Sequence, residues 1–169
     1  MLSQNISYTN FRLNNNGKKK IFKILKKLIK SPNQVLLSLS SNYKDSYNKK
    51  IVTNLNKYNN LRLIGMGGSI LGAKAIYNFL TPKLKKFQFV DNFSSCISTR
   101  NKKKNLNLII SKSGNTLETI SNVNILINKN EKNIFITEKK KSYLTDLANK
   151  LKAEVIGHNN YIGGRYSVL

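Results

Sequence analysis

Ser111 to Thr116, SKSGNT, places three hydroxyls, an ammonium and a glycine directly after an apolar run, LNLII, and directly before a helical pattern, LETISNVNILI. Ser111, Ser113 and Thr116 can each donate a hydrogen bond to an anionic oxygen. Lys112 adds charge, and its backbone N–H is a further donor. Gly114 permits positive φ, which lets consecutive N–H groups converge into an anion-binding nest. A helix N-terminus behind the loop would add free N–H groups and about half a positive charge. Asn115 and Glu118 also fit a capping pair for that helix, with Asn115 as N-cap. Capping gives no reason for Ser111, Lys112 and Ser113. A doubly charged phosphate does.

Two other stretches have the same character. GMGGSILG, Gly65 to Gly72, joins a short apolar run to a helical pattern. Its glycines allow a sharp turn and a close backbone approach to a ligand. It is not a dinucleotide fingerprint, because the third glycine position holds Ile70. It is not a P-loop either, because the lysine position after Gly72 holds Ala73. GGRYS, Gly163 to Ser167, again combines glycines with one fixed charge. The guanidinium of Arg165 is a planar fork of donors suited to an oxyanion.

These loops need elements to hold them. LRLIG, KFQFV, LNLIIS, NIFIT and AEVI read as strands; SILGAKAIYNFL, TLETISNVNILI and KSYLTDLANKLK read as helices between them. Alternating strands and helices predict an α/β, three-layer αβα sandwich with a parallel sheet. Ligands bind such sheets beyond the carboxyl ends of the strands, where the first two loops fall. Before residue 59 the pattern is helical. KKKIFKILKKLIK carries Ile21, Ile24, Leu25, Leu28 and Ile29 at helical spacing, a stripe expected to pack on its own domain and not on a membrane. Ser31 is expected to cap a following helix with Pro32 in its first position, and helix is expected to continue to Tyr58. The expected division is a helical extension, residues 1–58, and a ligand-binding domain, residues 59–169.

The chain has 30 Lys+Arg against 7 Asp+Glu, a formal net charge of +23. Spread over the whole length among abundant Asn and Ile, the lysines read as solvating composition, as in AT-rich genomes. They do not read as a nucleic-acid footprint, which would gather them on one face among aromatics. The charge still attracts small phosphorylated ligands. Cys96 is the one cysteine, so no intramolecular disulfide or CxxC metal pattern exists. The N-terminal MLSQNISYTNFRL lacks an apolar h-region, and no apolar run approaches a bilayer span. The expected location is cytoplasmic.

Taken together, GMGGSILG, SKSGNTLET and GGRYS resemble the glycine motif, the phosphate loop and the arginine motif of the glucose-6-phosphate isomerase family, which has the sugar isomerase fold. The resemblance covers about residues 60–169. It implies an aldose–ketose isomerase acting on glucose 6-phosphate and fructose 6-phosphate in glycolysis and gluconeogenesis, with no cofactor or metal. It implies that Ser69, Ser111, Ser113 and Thr116 hold the sugar phosphate through their hydroxyls, helped by the Lys112 backbone N–H. Gly68 would lie against the sugar. Gly164 and Arg165 would approach the reacting end, where Arg165 would stabilise the enediolate. The family's catalytic base, ring-opening histidine and lysine come later than GGRYS. Glu118, Glu154 and His158 receive no such role. The chain is therefore expected to match the N-terminal part of the enzyme, to be inactive alone, and to belong to a homodimer when full-length. The alternatives are a phosphosugar-binding regulator or another phosphosugar isomerase of the same fold and, from another class, a basic nucleic-acid-binding protein.

Overall fold

The computed structural model describes residues 15–44, 46–55, 57–58, 60–80, 87–93 and 105–163. The chain divides into two compact units, Met1–Tyr43 and Lys44–Leu169.

In the first unit, α1 (Asn15–Lys30) is the lysine-rich amphipathic helix and α2 (Gln34–Leu37) is a single turn. The expected Ser31 cap is not formed. Asn33 caps α2, its Oδ1 accepting from the Leu36 N–H at 2.9 Å, and Pro32 lies in the connection. The side chain of asparagine offers a carbonyl oxygen at a suitable reach for this bond. Helix then resumes only in the second unit, as α3 (Lys49–Leu55).

The second unit contains β1 (Asn60–Gly65), α4 (Gly68–Leu80), β2 (Phe87–Val90), β3 (Asn105–Ile110), α5 (Leu117–Leu126), β4 (Lys132–Thr137), α6 (Tyr143–Lys150) and β5 (Glu154–Gly157). The strands form one parallel sheet in the order β2-β1-β3-β4-β5. Chain direction across the sheet reverses between β1 and β3. Right-handed crossovers then place α4 on one face and α5 and α6 on the other. The result is the three-layer αβα sandwich.

Strand parity assigns the two faces. Val90, Ile64, Ile109, Phe135 and Val155 lie in one register row across all five strands. With Val123 and Leu126 of α5 and Leu144 and Ala148 of α6 they build the core. On the opposite face Tyr77 of α4 meets Phe87 and Phe89 edge-on, at ring separations of 5.3 and 5.4 Å. Apolar residues on both faces are what a covered parallel sheet requires.

At the amino ends of the strands the core gives way to a polar row. Arg62, 6% exposed, donates through Nε to Gln88 Oε1 at 3.2 Å, and through Nη1 to Asn107 Oδ1 at 3.3 Å and the Leu126 carbonyl at 3.0 Å. Asn105 and Asn107 donate to the two oxygens of Glu131 at 2.7 and 2.8 Å. The guanidinium thus satisfies a carbonyl at the C-terminus of α5, where positive charge is favoured. These buried polar groups hold this end together by satisfying one another, although Asn60 Nδ2, at the start of β1, is buried without a partner. Replacing Arg62 by Met should leave a buried carbonyl, two amide oxygens and Glu131 without their cation. The expected loss is about 3 kcal/mol in urea unfolding.

Candidate functional site

The reversal of chain direction parts the connections after β1 and β3, so the carboxyl ends of these adjacent strands open onto a crevice. This is the ligand position of a sheet with this strand order. A cleft of about 510 Å³ lies there, lined by Met66, Gly68, Ser69, Lys112, Ser113, Thr116, Glu138 and Lys140. Gly65 lets the two strand ends meet closely: a Cβ on it would stand 3.0 Å from the Ile110 carbonyl oxygen and 3.4 Å from Ser69 Cβ. Gly67 takes φ +54° and turns the chain into α4, whose first residues are Gly68 and Ser69.

The loop after β3 is organised by its own hydroxyls. Ser111 is 2% exposed and does not line the cleft; it stands behind the loop. Its Oγ accepts from the Gly114 N–H at 3.2 Å and lies 3.0 Å from Thr116 Oγ1. Ser113 Oγ accepts from the Asn115 N–H at 3.2 Å and lies 3.5 Å from the same Thr116 oxygen. Gly114 has φ +70°, and a Cβ there would collide with the Ser142 side chain, standing 2.7 Å from Ser142 Cβ.

The expected cap on α5 is corrected. Thr116, not Asn115, is the N-cap residue, and its side chain makes no capping bond. Asn115 Oδ1 instead accepts from the N–H of Tyr143 at 2.9 Å, and the Gly114 carbonyl accepts from Leu144 N–H at 3.1 Å. The loop therefore caps α6, alongside Ser142 and Thr145, which form that helix's own capping box. The first turn of α5 is left without a side-chain cap, facing a cleft edged by hydroxyls. Amides in that position suit an anion.

Of the residues expected from the sequence, Gly68, Ser69, Lys112, Ser113 and Thr116 thus share one cleft, and Ser111 supports it. Gly164 and Arg165 lie outside the described residues. Glu138 and Lys140, at the mouth of β4, were missed. Their signal was positional: the strand beside the phosphate-type loop ends there. Glu138 Oε2 stands 2.6 Å from Lys140 Nζ, and Oε1 stands 3.6 Å from Lys112 Nζ. The hydrogen bond from Lys140 holds the Glu138 carboxyl below its ordinary value; desolvation opposes this, and the charges of Lys140 and Lys112 add to the lowering. Among the described residues no group of three or more His, Cys, Asp and Glu could hold a metal, and no helix is long and apolar enough to cross a membrane.

Two outcomes are expected. Gly114→Ala should destabilise the chain by about 2 kcal/mol or more, through strained φ and overlap with Ser142. Gly67→Ala, with open space around it, should cost only the strain of about 1 kcal/mol. Paired thermal melts would show the two alike if the loop were not seated on α6. Glu138 is lowered on folding, so its ionised form adds stability above the ordinary value of 4.5. That contribution is lost as pH falls below it. Stability measured from pH 7 to 3 should fall less steeply in Glu138→Gln; an unchanged slope would mean the ion pairs do not form.

Comparison with known proteins adds to this geometry. No family model matches the chain. It is 39% identical over 127 residues to the glucose-6-phosphate isomerase of Methanocaldococcus jannaschii, covering 68% of the chain and 31% of that protein. It is 36% identical over 130 residues to that of Borreliella afzelii, covering 66% and 24%. The chain thus spans about a quarter to a third of the length of these relatives. Among solved structures, a hypothetical protein of Thermus thermophilus matches at TM-score 0.61 and 18% identity, covering 90% of this chain and 44% of that one. The Vibrio vulnificus NanR protein, complexed with ManNAc-6P, matches at TM-score 0.54 and 17% identity, covering 86% and 60%. The chain shares its three-layer parallel α/β fold with these solved structures and is related to the SIS-domain phosphosugar isomerases, with distant homology over part of its length to glucose-6-phosphate isomerases.

Proposed function

We propose that the chain is the phosphosugar-binding portion of a glucose-6-phosphate isomerase, interconverting glucose 6-phosphate and fructose 6-phosphate through an enediolate. One observation carries the reading. Ser69, Ser113 and Thr116 edge a single cleft at the β1/β3 reversal, together with the uncapped first turn of α5. Hydroxyls and amides without a charged partner fit a dianionic phosphate, and the cleft volume fits a molecule the size of a hexose phosphate.

In this reading the proton moves between neighbouring carbons of the open-chain sugar. Negative charge develops on the oxygens of the enediolate. Phosphate held at the cleft would orient the carbon chain, and Arg165 would stabilise the developing charge. The resemblance places the base that takes and returns the proton after the arginine motif, and neither Glu118 nor Glu154 is given that role. Residues 1–58 would be a helical extension and residues 59–169 the phosphosugar domain, in a cytoplasmic homodimer.

Titration calorimetry with fructose 6-phosphate, fructose and ManNAc-6P tests the reading, beside a turnover assay. The chain should bind fructose 6-phosphate and not fructose, and should show no turnover alone. Ser113→Ala combined with Thr116→Val should weaken fructose 6-phosphate at least about tenfold, since two hydrogen bonds to a charged group are lost. Preference for ManNAc-6P would favour a sugar-phosphate sensor instead. Turnover by the isolated chain would overturn the placement of the base.

A further inference from the structure

We infer that Glu138 is a positioning residue. Acting through the side chain of Lys112, it straps the segment after β5 to the loop after β3, and so sets a preference for a sugar phosphate over bare phosphate. The inference rests on the proposed reading of the cleft as a phosphosugar site.

The strap is visible bond by bond. Lys112 Nζ donates to the carbonyl of Asn160 at 2.8 Å and stands 3.6 Å from Glu138 Oε1. Its ammonium is therefore already engaged by the protein. Glu138 is held in turn: its side chain is 12% exposed, and Lys140 pairs with its second oxygen. Backbone bonds fix the same junction. The Glu138 N–H and Thr137 Oγ1 donate to the Lys112 carbonyl at 3.1 and 3.3 Å, and the His158 N–H donates to the Thr137 carbonyl at 2.8 Å. The ladder thus continues sideways past the strand ends, from β3 through β4 to the chain leaving β5.

A carboxylate on the wall of an anion site opposes phosphate by like-charge repulsion, so binding of the anion alone gives no reason for Glu138. Ordering the segment gives one. Asn160 stands shortly before Gly163, Gly164 and Arg165 in the chain. Asn160 itself lines a second cleft that shares Glu138 and Lys140 with the first, so fixing its carbonyl fixes a wall that whatever the phosphate carries would meet. Glu138 holds Lys112 by charge, and Lys112 holds Asn160 by a hydrogen bond.

Glu138→Gln in the 169-residue chain separates this from plain electrostatics. Removing the carboxylate should tighten inorganic phosphate by about twofold to fivefold. Fructose 6-phosphate should not share the gain, so the ratio of its Kd to that of phosphate should rise at least about fivefold. Amides of His158 to Gly163 should exchange with solvent about tenfold faster, and those of β3 and β4 should not. Lys112→Met should reproduce the exchange change. Equal tightening of both ligands, with exchange unaltered, would overturn the strap and leave Glu138 a charge only. Failure of the wild-type chain to bind either ligand would instead remove the proposed function, and the exchange measurement would still decide the strap.

Discussion

The side-chain oxygen of Asn115 goes to the amide of Tyr143, in the next helix, and not to its own. A loop at the mouth of a parallel sheet has two helix N-termini within reach, and this bond decides which one it satisfies. Spent on α6, it seats the loop through Asn115 and the Gly114 carbonyl. It also leaves α5 without a side-chain cap. The amides at the start of a helix must find acceptors somewhere, and a site open to solvent lets water or an anion provide them. Gly114 follows from the same contact, since only a residue without Cβ fits against Ser142 at φ +70°.

The two ends of the sheet divide the work. At the amino ends Arg62, Asn105, Asn107, Asn133 and Glu131 are joined into a network and satisfy one another. At the carboxyl ends hydroxyls and amides share one cleft with Lys112 and Lys140, whose ammonium groups are paired with Glu138. A network closed on itself stabilises; one left partly open can take up a ligand. The apolar register row between them, from Val90 to Val155, keeps the ends in register, so the loop after β1 stays beside the loop after β3.

Much of this was legible in the sequence because it is local. Period-two and period-3.6 patterns locate the strands, and the helices between them, to within a residue or two, whereas α3 ends at Leu55 and not at the expected Tyr58. LNLII followed by SKSGNT marks a strand mouth and a helix start without any tertiary information. What escaped is what depends on neighbours distant in the chain. Asn115 and Glu118 spell a local capping pair, and nothing nearby shows that Tyr143 competes for the same oxygen. Glu138 looks like one charge in a lysine run, TEKKK, until β4 is placed next to β3. Ser31-Pro32 spells a helix start, yet Asn33 lies closer and forms the bond. The strand order itself, which brings the two loops together, is carried by no motif.

The central claim is that one anion pocket forms between the loops after β1 and β3. Amide chemical-shift mapping during titration with inorganic phosphate addresses it directly, because it reads position as well as affinity. Saturable shifts should appear at Gly68 and Ser69, and from Ser113 through the first turn of α5, with small changes along α1 despite its lysines. Shifts scattered over lysine-rich surface, or confined to one of the two loops, would contradict it.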